Sequence, residues 1–422
     1  MCADRLTGGG VLISQPVHQH AYEAAVAAQQ AGLLRHFVTG LYYTGNGITS
    51  SRLRGWMPSP WQDRLEYELR RRWHPDLLAS QVLTLPRYHL LALALRKASG
   101  RLASNLDTWA HGRFDRAVAA RLRVLQNVGI VHGFEGSAEA TLRTAKRLGM
   151  ATILDVPSAH EERLRACDPS AHASVGRLTA KVQSERDLAD YLLAPSDYVI
   201  RCLVDHGVPV EKVIKLPYGV DLELFTPVER HAAGAERCRF LFVGQIGISK
   251  GVHHLLEAWR RLALPRSDLV LVGPLHWSGR EILQRHEGSC RWVGSVPRRE
   301  VHRWFAASDV CVLPSLSDGW GLVITEAMAT GLPVITSSAC GATVRNGLDG
   351  LVVPPGDVDA LCAAIRFLYD HPGERERMGA SARTLVQDWY SRRQYEDRLQ
   401  SVYKAILANG DPREEASNWR HP

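Results

Sequence analysis

A chain of 422 residues is too long for one hydrophobic core and divides into domains of ordinary size. Its 45% apolar and 23% charged residues are those of a globular protein and exclude a disordered or fibrous chain. The net charge of +7 and pI near 9.0 give a surface that attracts anions, and charge alone does not choose among nucleotide phosphates, acidic lipids and nucleic acid.

The opening residues, Met1-Cys2-Ala3-Asp4-Arg5, lack the apolar core of a signal peptide. Val11-Leu12-Ile13-Ser14 reads as a first strand, followed by a helix over residues 21–31 that ends at Gly32. The stretch from about 44 to 126 breaks this rhythm: it is helical and rich in Arg and Trp, including Trp56, Trp61, Arg70, Arg71, Arg72, Trp73 and Trp109. It is read as an insertion, either a surface for anionic membranes and lipid-linked acceptors or a solvated face over an aromatic core. Its most apolar run, residues 88–95, is far shorter than the roughly 20 residues needed to span a bilayer.

The rhythm resumes with a strand at Gly129-Ile130-Val131-His132-Gly133, a helix over 137–148 and a strand at Ala151-Thr152-Ile153-Leu154-Asp155. Alternating strands and helices predict a doubly wound α/β fold with a parallel sheet. A turn-rich linker, from Pro217-Tyr218-Gly219 to about Arg237, ends a first domain over about 1–220. A second alternation opens at Arg239-Phe240-Leu241-Phe242-Val243-Gly244 and continues through residues 269–273 and 310–314, giving a second domain over about 237–390. Two such halves place a cleft between the carboxyl ends of two parallel sheets, where ligands bind in these folds. A helix is expected over about 391–408, and residues 409–422 are expected to form a flexible tail. The eight cysteines contain no C-x-x-C pair and several lie in apolar runs, so they read as buried reduced thiols of a cytoplasmic protein.

The strongest chemical signal runs from Pro314 through Ser317-Asp318-Gly319-Trp320-Gly321-Leu322 to Glu326-Ala327-Met328-Ala329 and Gly331-Leu332-Pro333-Val334. Here a strand ends, two glycines follow and a helix begins near Leu322, so exposed amides and the partial positive charge of a helix start suit a phosphate or hydroxyl-rich anion. Asp318 in the loop and Glu326 one turn inside the helix are placed to accept hydrogen bonds from hydroxyls in one cleft. Lys250, in Ser249-Lys250-Gly251, follows the strand-ending Gly244 and offers a fixed ammonium.

This segment resembles the donor-site signature of glycosyltransferase family 4, the retaining enzymes of GT-B fold. Phe242-Val243-Gly244-Gln245, Ser249-Lys250-Gly251, Pro217-Tyr218-Gly219-Val220-Asp221 and Ala194-Pro195-Ser196 are similar to further motifs of that family, and the likeness spans about 186–403. The resemblance implies two Rossmann-like domains and a C-terminal helix that crosses back to the first. It implies that Glu326 binds the ribose hydroxyls and that Asp318, with Gly319, Trp320, Gly321 and Leu322, holds the sugar. Lys250 would contact the diphosphate beside Gly244 and Gln245. It also implies transfer without a metal or other cofactor, the nucleotide sugar being a substrate, and retention in which the donor phosphate takes the acceptor's proton.

Gln245 stands where the family usually has Arg, so one of two cations expected at the diphosphate is missing. Asp318 is likewise shorter than the usual glutamate. On the acceptor side His18, His20, His132 and His160 are candidates, and His160, after the strand ending at Asp155, is preferred. The reaction expected is addition of a sugar to a lipid-linked, glycan or small-molecule acceptor in polysaccharide, glycolipid or glycoconjugate synthesis, at the inner face of the cell membrane or free in the cytoplasm. Rival readings are phosphorolysis or epimerisation on the same fold, and a non-catalytic sugar-nucleotide-binding or membrane-associated partner of an assembly complex. Nucleic acid is not an expected partner, since no recognised binding module accompanies the charge.

Overall fold

The structure is a computed structural model and describes residues 9–17, 20–43, 72–88, 103–159, 172–227, 237–276, 278–417 and 419. In the first domain β1 (Gly10–Ser14), α1 (His20–Gln30), β2 (Leu34–Thr39), β3 (Val82–Thr84), α2 (Ala103–Leu122), β4 (Val128–Phe134), α3 (Glu139–Arg147), β5 (Ala151–Asp155), α4 (His172–Leu188), β6 (Tyr191–Ala194), α5 (Asp197–Asp205) and β7 (Val213–Lys215) follow in order. The strands form a parallel sheet ordered β3-β2-β1-β4-β5-β6-β7. Both faces are covered, so strand side chains are buried on either side: Val11, Leu12 and Ile13 have no exposed surface. Helix α1 packs closely because Ala21, Ala24, Ala25, Ala27 and Ala28 leave no bulk on its buried side. It ends at Gly32, whose φ of 69° is the left-handed conformation a C-terminal turn requires.

The expected insertion is smaller than 44–126. Residues 82–84 are the edge strand of the sheet, and α2 belongs to the core, with Phe114, Val118 and Leu122 fully buried at four-residue spacing. The arginines on its outer face obscure that stripe in the sequence. Trp56, Trp61, Arg70 and Arg71 lie outside the described residues. Trp73 is 50% exposed, and Trp109 lies under the guanidinium of Arg113 at 5.7 Å.

The second domain contains β8 (Cys238–Val243), α6 (Val252–Leu262), β9 (Ser267–Val272), α7 (Gly279–Arg285), β10 (Arg291–Trp292), α8 (Val301–Ala306), β11 (Val310–Leu313), α9 (Leu322–Ala329), β12 (Val334–Ser337), β13 (Gly350–Val353), α10 (Val358–Asp370) and α11 (Pro372–Trp389). Its parallel sheet has the order β10-β9-β8-β11-β12-β13. Helix α12 (Arg392–Leu407), started by a Ser391/Gln394 capping box, returns to the first domain and packs on α1. The two chain crossings lie against each other: Val220 N donates to Tyr390 O at 2.8 Å and Arg392 N donates to Val220 O at 2.9 Å.

Residues 412–417 differ from the flexible tail expected of them. They form α13 (Pro412–Ser417), which packs on α12 and β7, and Arg413 Nη1 donates to Glu211 O at 2.9 Å. Buried Pro412 and the Asp411 carboxylate that accepts from Arg413 N give this short helix its anchor. Cys202, Cys311 and Cys340 are buried, while Cys2 and Cys167 lie outside the described residues. Among the described residues no helix is long and apolar enough to cross a membrane.

Candidate active site

The carboxyl ends of β8 and β11 set the floor of a cavity of about 220 Å³ between the two domains. Ser249-Lys250-Gly251 forms a tight turn after β8. A Cβ on Gly251 would lie 1.9 Å from the carbonyl oxygen of Pro314, and its φ is +67°, so only glycine lets this turn press on the end of β11. Leu316 N donates to Ser249 O at 2.8 Å across the same seam. That contact brings Lys250 beside Asp318, and the Lys250 ammonium donates to Asp318 Oδ2. The other carboxylate oxygen of Asp318 accepts from Gly321 N at 3.2 Å, so Asp318 both fixes the turn before α9 and faces the cation. Gly321 opens α9 in the left-handed region, φ +69°, where an added Cβ would meet Cys340 Sγ at 2.4 Å.

Gly244, Lys250, Asp318, Trp320, Gly321 and Leu322 all line this cavity. Three other sequence candidates do not. Gln245 is exposed at the end of β8. Gly319 is turned against the first domain: a Cβ there would lie 1.9 Å from Pro157 O, and its carbonyl accepts from Ser196 Oγ at 2.6 Å. Glu326 is not among the residues that line this cavity. It is 4% exposed and accepts from Arg298 Nη2 at 2.8 Å. Burial pushes the Glu326 carboxyl up from its ordinary range, and the Arg298 guanidinium opposes that shift. A position one turn inside a covered helix is buried by the helix itself, which the spacing of Asp318 and Glu326 does not reveal.

His20, Pro157 and Tyr218 complete the cavity from the first domain. His20 is stacked on Tyr218, with ring centroids 4.5 Å apart and planes 4° from parallel. The Tyr218 phenol donates to Asp155 Oδ1 at 2.8 Å. Behind this pair His132 Nε2 is 3.9 Å from Asp155 Oδ2, and His132 Nδ1 lies 2.7 Å from the Tyr403 hydroxyl of α12. Burial pushes the Asp155 carboxyl up to about 7, against the Tyr218 hydrogen bond, and pushes the His132 imidazole down to about 3. His132 is therefore a neutral core group in the middle of β4 and not a cleft residue. His18 and His160 lie outside the described residues.

Sequence reasoning assigned no role to Arg298, Tyr218 or Ser196. Arg298 stands in Pro297-Arg298-Arg299, two cations just before a short amphipathic helix, which is the signal that would have marked it. Ser196 caps α5 by accepting from Val199 N at 3.2 Å while it donates to Gly319 O, a dual contact that no local pattern encodes.

Two parallel-sheet domains facing a cleft, with a cation and a carboxylate at a glycine-lined helix start, define the GT-B glycosyltransferase fold. Residues 237–371 match the model of the family described as glycosyl transferases group 1. The chain is 32% identical over 232 residues to the MMP alpha-(1->4)-mannosyltransferase of Mycolicibacterium hassiacum, covering 53% of this chain and 56% of that one. It is 32% identical over 220 residues to the D-inositol 3-phosphate glycosyltransferase of Kribbella flavida, covering 46% of this chain and 52% of that one. These alignments span about half the length of the curated relatives. Among solved structures, a sucrose-phosphate synthase from Thermosynechococcus elongatus has a TM-score of 0.66 at 20% identity, over 95% of this chain and 100% of that one. The Anabaena protein HepE, solved in complex with UDP and glucose, has a TM-score of 0.63 at 14% identity, over 94% and 100%. At these identities the structural likeness is one of fold.

Proposed function

We propose that the chain moves a sugar from a nucleotide-diphosphate donor to an acceptor hydroxyl, with retention at the anomeric carbon and without a metal ion. The observation that carries this reading is the meeting of Lys250 and Asp318 in one interdomain cavity at the start of α9. As the bond from the anomeric carbon to the donor's phosphate oxygen breaks, negative charge grows on the diphosphate. A fixed ammonium and the helix start then stabilise the transition state more than the ground state. The departing phosphate oxygen takes the acceptor's proton on the face where the new bond forms, which gives retention. Asp318 accepts hydrogen bonds from sugar hydroxyls, and Glu326, held by Arg298, accepts from the ribose. The activities for which the mannosyltransferase and inositol-phosphate relatives are named support transfer over phosphorolysis or epimerisation.

The acceptor is a lipid-linked, glycan or small-molecule hydroxyl in polysaccharide, glycolipid or glycoconjugate synthesis. Peripheral contact with an anionic membrane at the cytoplasmic face would fall on the Arg- and Trp-rich stretch of about 44–126, in which Trp73 is exposed. The test is thermal stabilisation by a panel of nucleoside diphosphates and nucleotide sugars, repeated with Lys250→Ala and Glu326→Ala, since a ligand of the folded state raises its melting temperature. A shift selective for one base and lost in both variants is expected. Absence of any shift in the wild-type chain refutes the proposal.

A further inference from the structure

The charges at the cavity do not suffice for the anion it is proposed to hold. Among the described residues Lys250 is the one lysine or arginine of the lining, and its ammonium is already paired with Asp318, so the two charges cancel. Gln245 is neutral, exposed and outside the lining. Arg298 is committed to Glu326 and also stands outside it. A diphosphate leaving group is a multiply charged anion, and placing it in a partly enclosed site of no net charge is unfavourable unless another donor meets it.

We infer that His20 is that donor: carried by the first domain, its imidazole contacts the leaving diphosphate opposite Lys250. The inference rests on the donor reading of the cavity proposed above. Among the described residues His20 is, with Lys250, the lining residue able to carry positive charge, and it reaches the cavity from the other domain. Its ring is held flat on Tyr218, and Tyr218 is tied to Asp155 at the end of β5. A ring fixed in this way contacts its ligand with little loss of side-chain freedom. His20 is also the first residue of α1, so the positive end of that helix lies on the same side. Because His20 and Lys250 belong to different domains, the complete diphosphate site exists only while the domains face each other across the cavity. Departure of the diphosphate then removes the anion that both groups contact.

The experiment compares binding of UDP, GDP, ADP, CDP and dTDP with that of the matching monophosphates, for the wild-type chain, His20→Ala, and the double variant His20→Ala/Gln245→Arg. For the base that the wild-type chain selects, His20→Ala is expected to weaken the diphosphate about ten- to hundredfold, the scale of a lost charged hydrogen bond, and to leave the monophosphate unchanged. The double variant is expected to regain diphosphate affinity, because it restores a cation from the other domain. Equal loss of mono- and diphosphate would mean a structural role and overturn the inference, as would an unchanged diphosphate affinity or a double variant that regains none. A wild-type chain that binds no nucleotide overturns the donor reading together with this inference. A wild-type chain that binds, with His20→Ala unaltered, overturns this inference alone.

Discussion

Replacing Gly319 by alanine puts a methyl group where the first domain already has backbone. The added Cβ would lie 1.9 Å from Pro157 O and 2.8 Å from Ser158 Cα. Since real Cβ contacts stay above 3.0 Å, the smallest movement that relieves the clash is 3.0 − 1.9 = 1.1 Å. The partner cannot yield cheaply: it is main chain, anchored by Val156 N donating to Leu193 O at 2.9 Å. The signature loop must therefore withdraw, stretching the 2.6 Å bond from Ser196 Oγ to Gly319 O and moving Asp318, one residue away, relative to the first domain. A displacement of about 1 Å at a reacting centre costs roughly a hundredfold in rate, and overpacking costs about 1–3 kcal/mol of stability. Gly319→Ala is expected to lower kcat/KM for sugar transfer about a hundredfold, with a modest fall in melting temperature. Gly347→Ala is the control: φ is +78° but nothing lies within 4 Å, so it costs about 1–2 kcal/mol of backbone strain and leaves turnover intact. Wild-type turnover by Gly319→Ala would refute the closed contact between the domains.

Burial lifts Asp155 and Glu185 to about 7, above their ordinary 3.8 and 4.5, so each contributes stability that is complete below the ordinary carboxylate range and lost as pH rises through 7. His132, pushed down to about 3 from 6.5, works in the opposite sense, its contribution being present above 6.5 and lost as pH falls toward 3. Urea unfolding between pH 6.5 and 8.5 is therefore expected to show stability falling with pH, with a shallower slope in Asp155→Asn; an unchanged slope contradicts this. Tyr403→Phe leaves buried His132 Nδ1 without its 2.7 Å partner and is expected to cost about 1–3 kcal/mol in chemical denaturation, loosening α12 from β4. Glu326→Gln removes a buried charge whose carboxyl is shifted upward by burial, so stability at pH 8 is expected to hold or rise. Nucleotide affinity in that variant is expected to fall about tenfold, measured by calorimetry, and unaltered affinity would remove Glu326 from the nucleotide site.

Much of the fold and of the second domain's part of the candidate site was written locally. Runs such as Phe240-Leu241-Phe242-Val243 are buried on both faces of a parallel sheet, so their apolar continuity marks a strand wherever the chain later places it. The glycines at 244, 251 and 321 hold backbone conformations with positive φ, a property of the residue and its neighbours, and they carried the cavity floor into the sequence signature. The alternation of α2 was legible in principle through Phe114, Val118 and Leu122 and was hidden by the arginines between them. Tertiary structure alone decided that Glu326 meets Arg298, that His20 stacks on a tyrosine about two hundred positions away and lines the cavity, and that Ser196 reaches across to Gly319. Each of these is a contact between segments distant along the chain, fixed by how two sheets and a returning helix pack together. Periodicity and local conformational preference report only on neighbours in sequence, and so they determined the elements and the chemical groups on offer, while packing determined which of those groups meet.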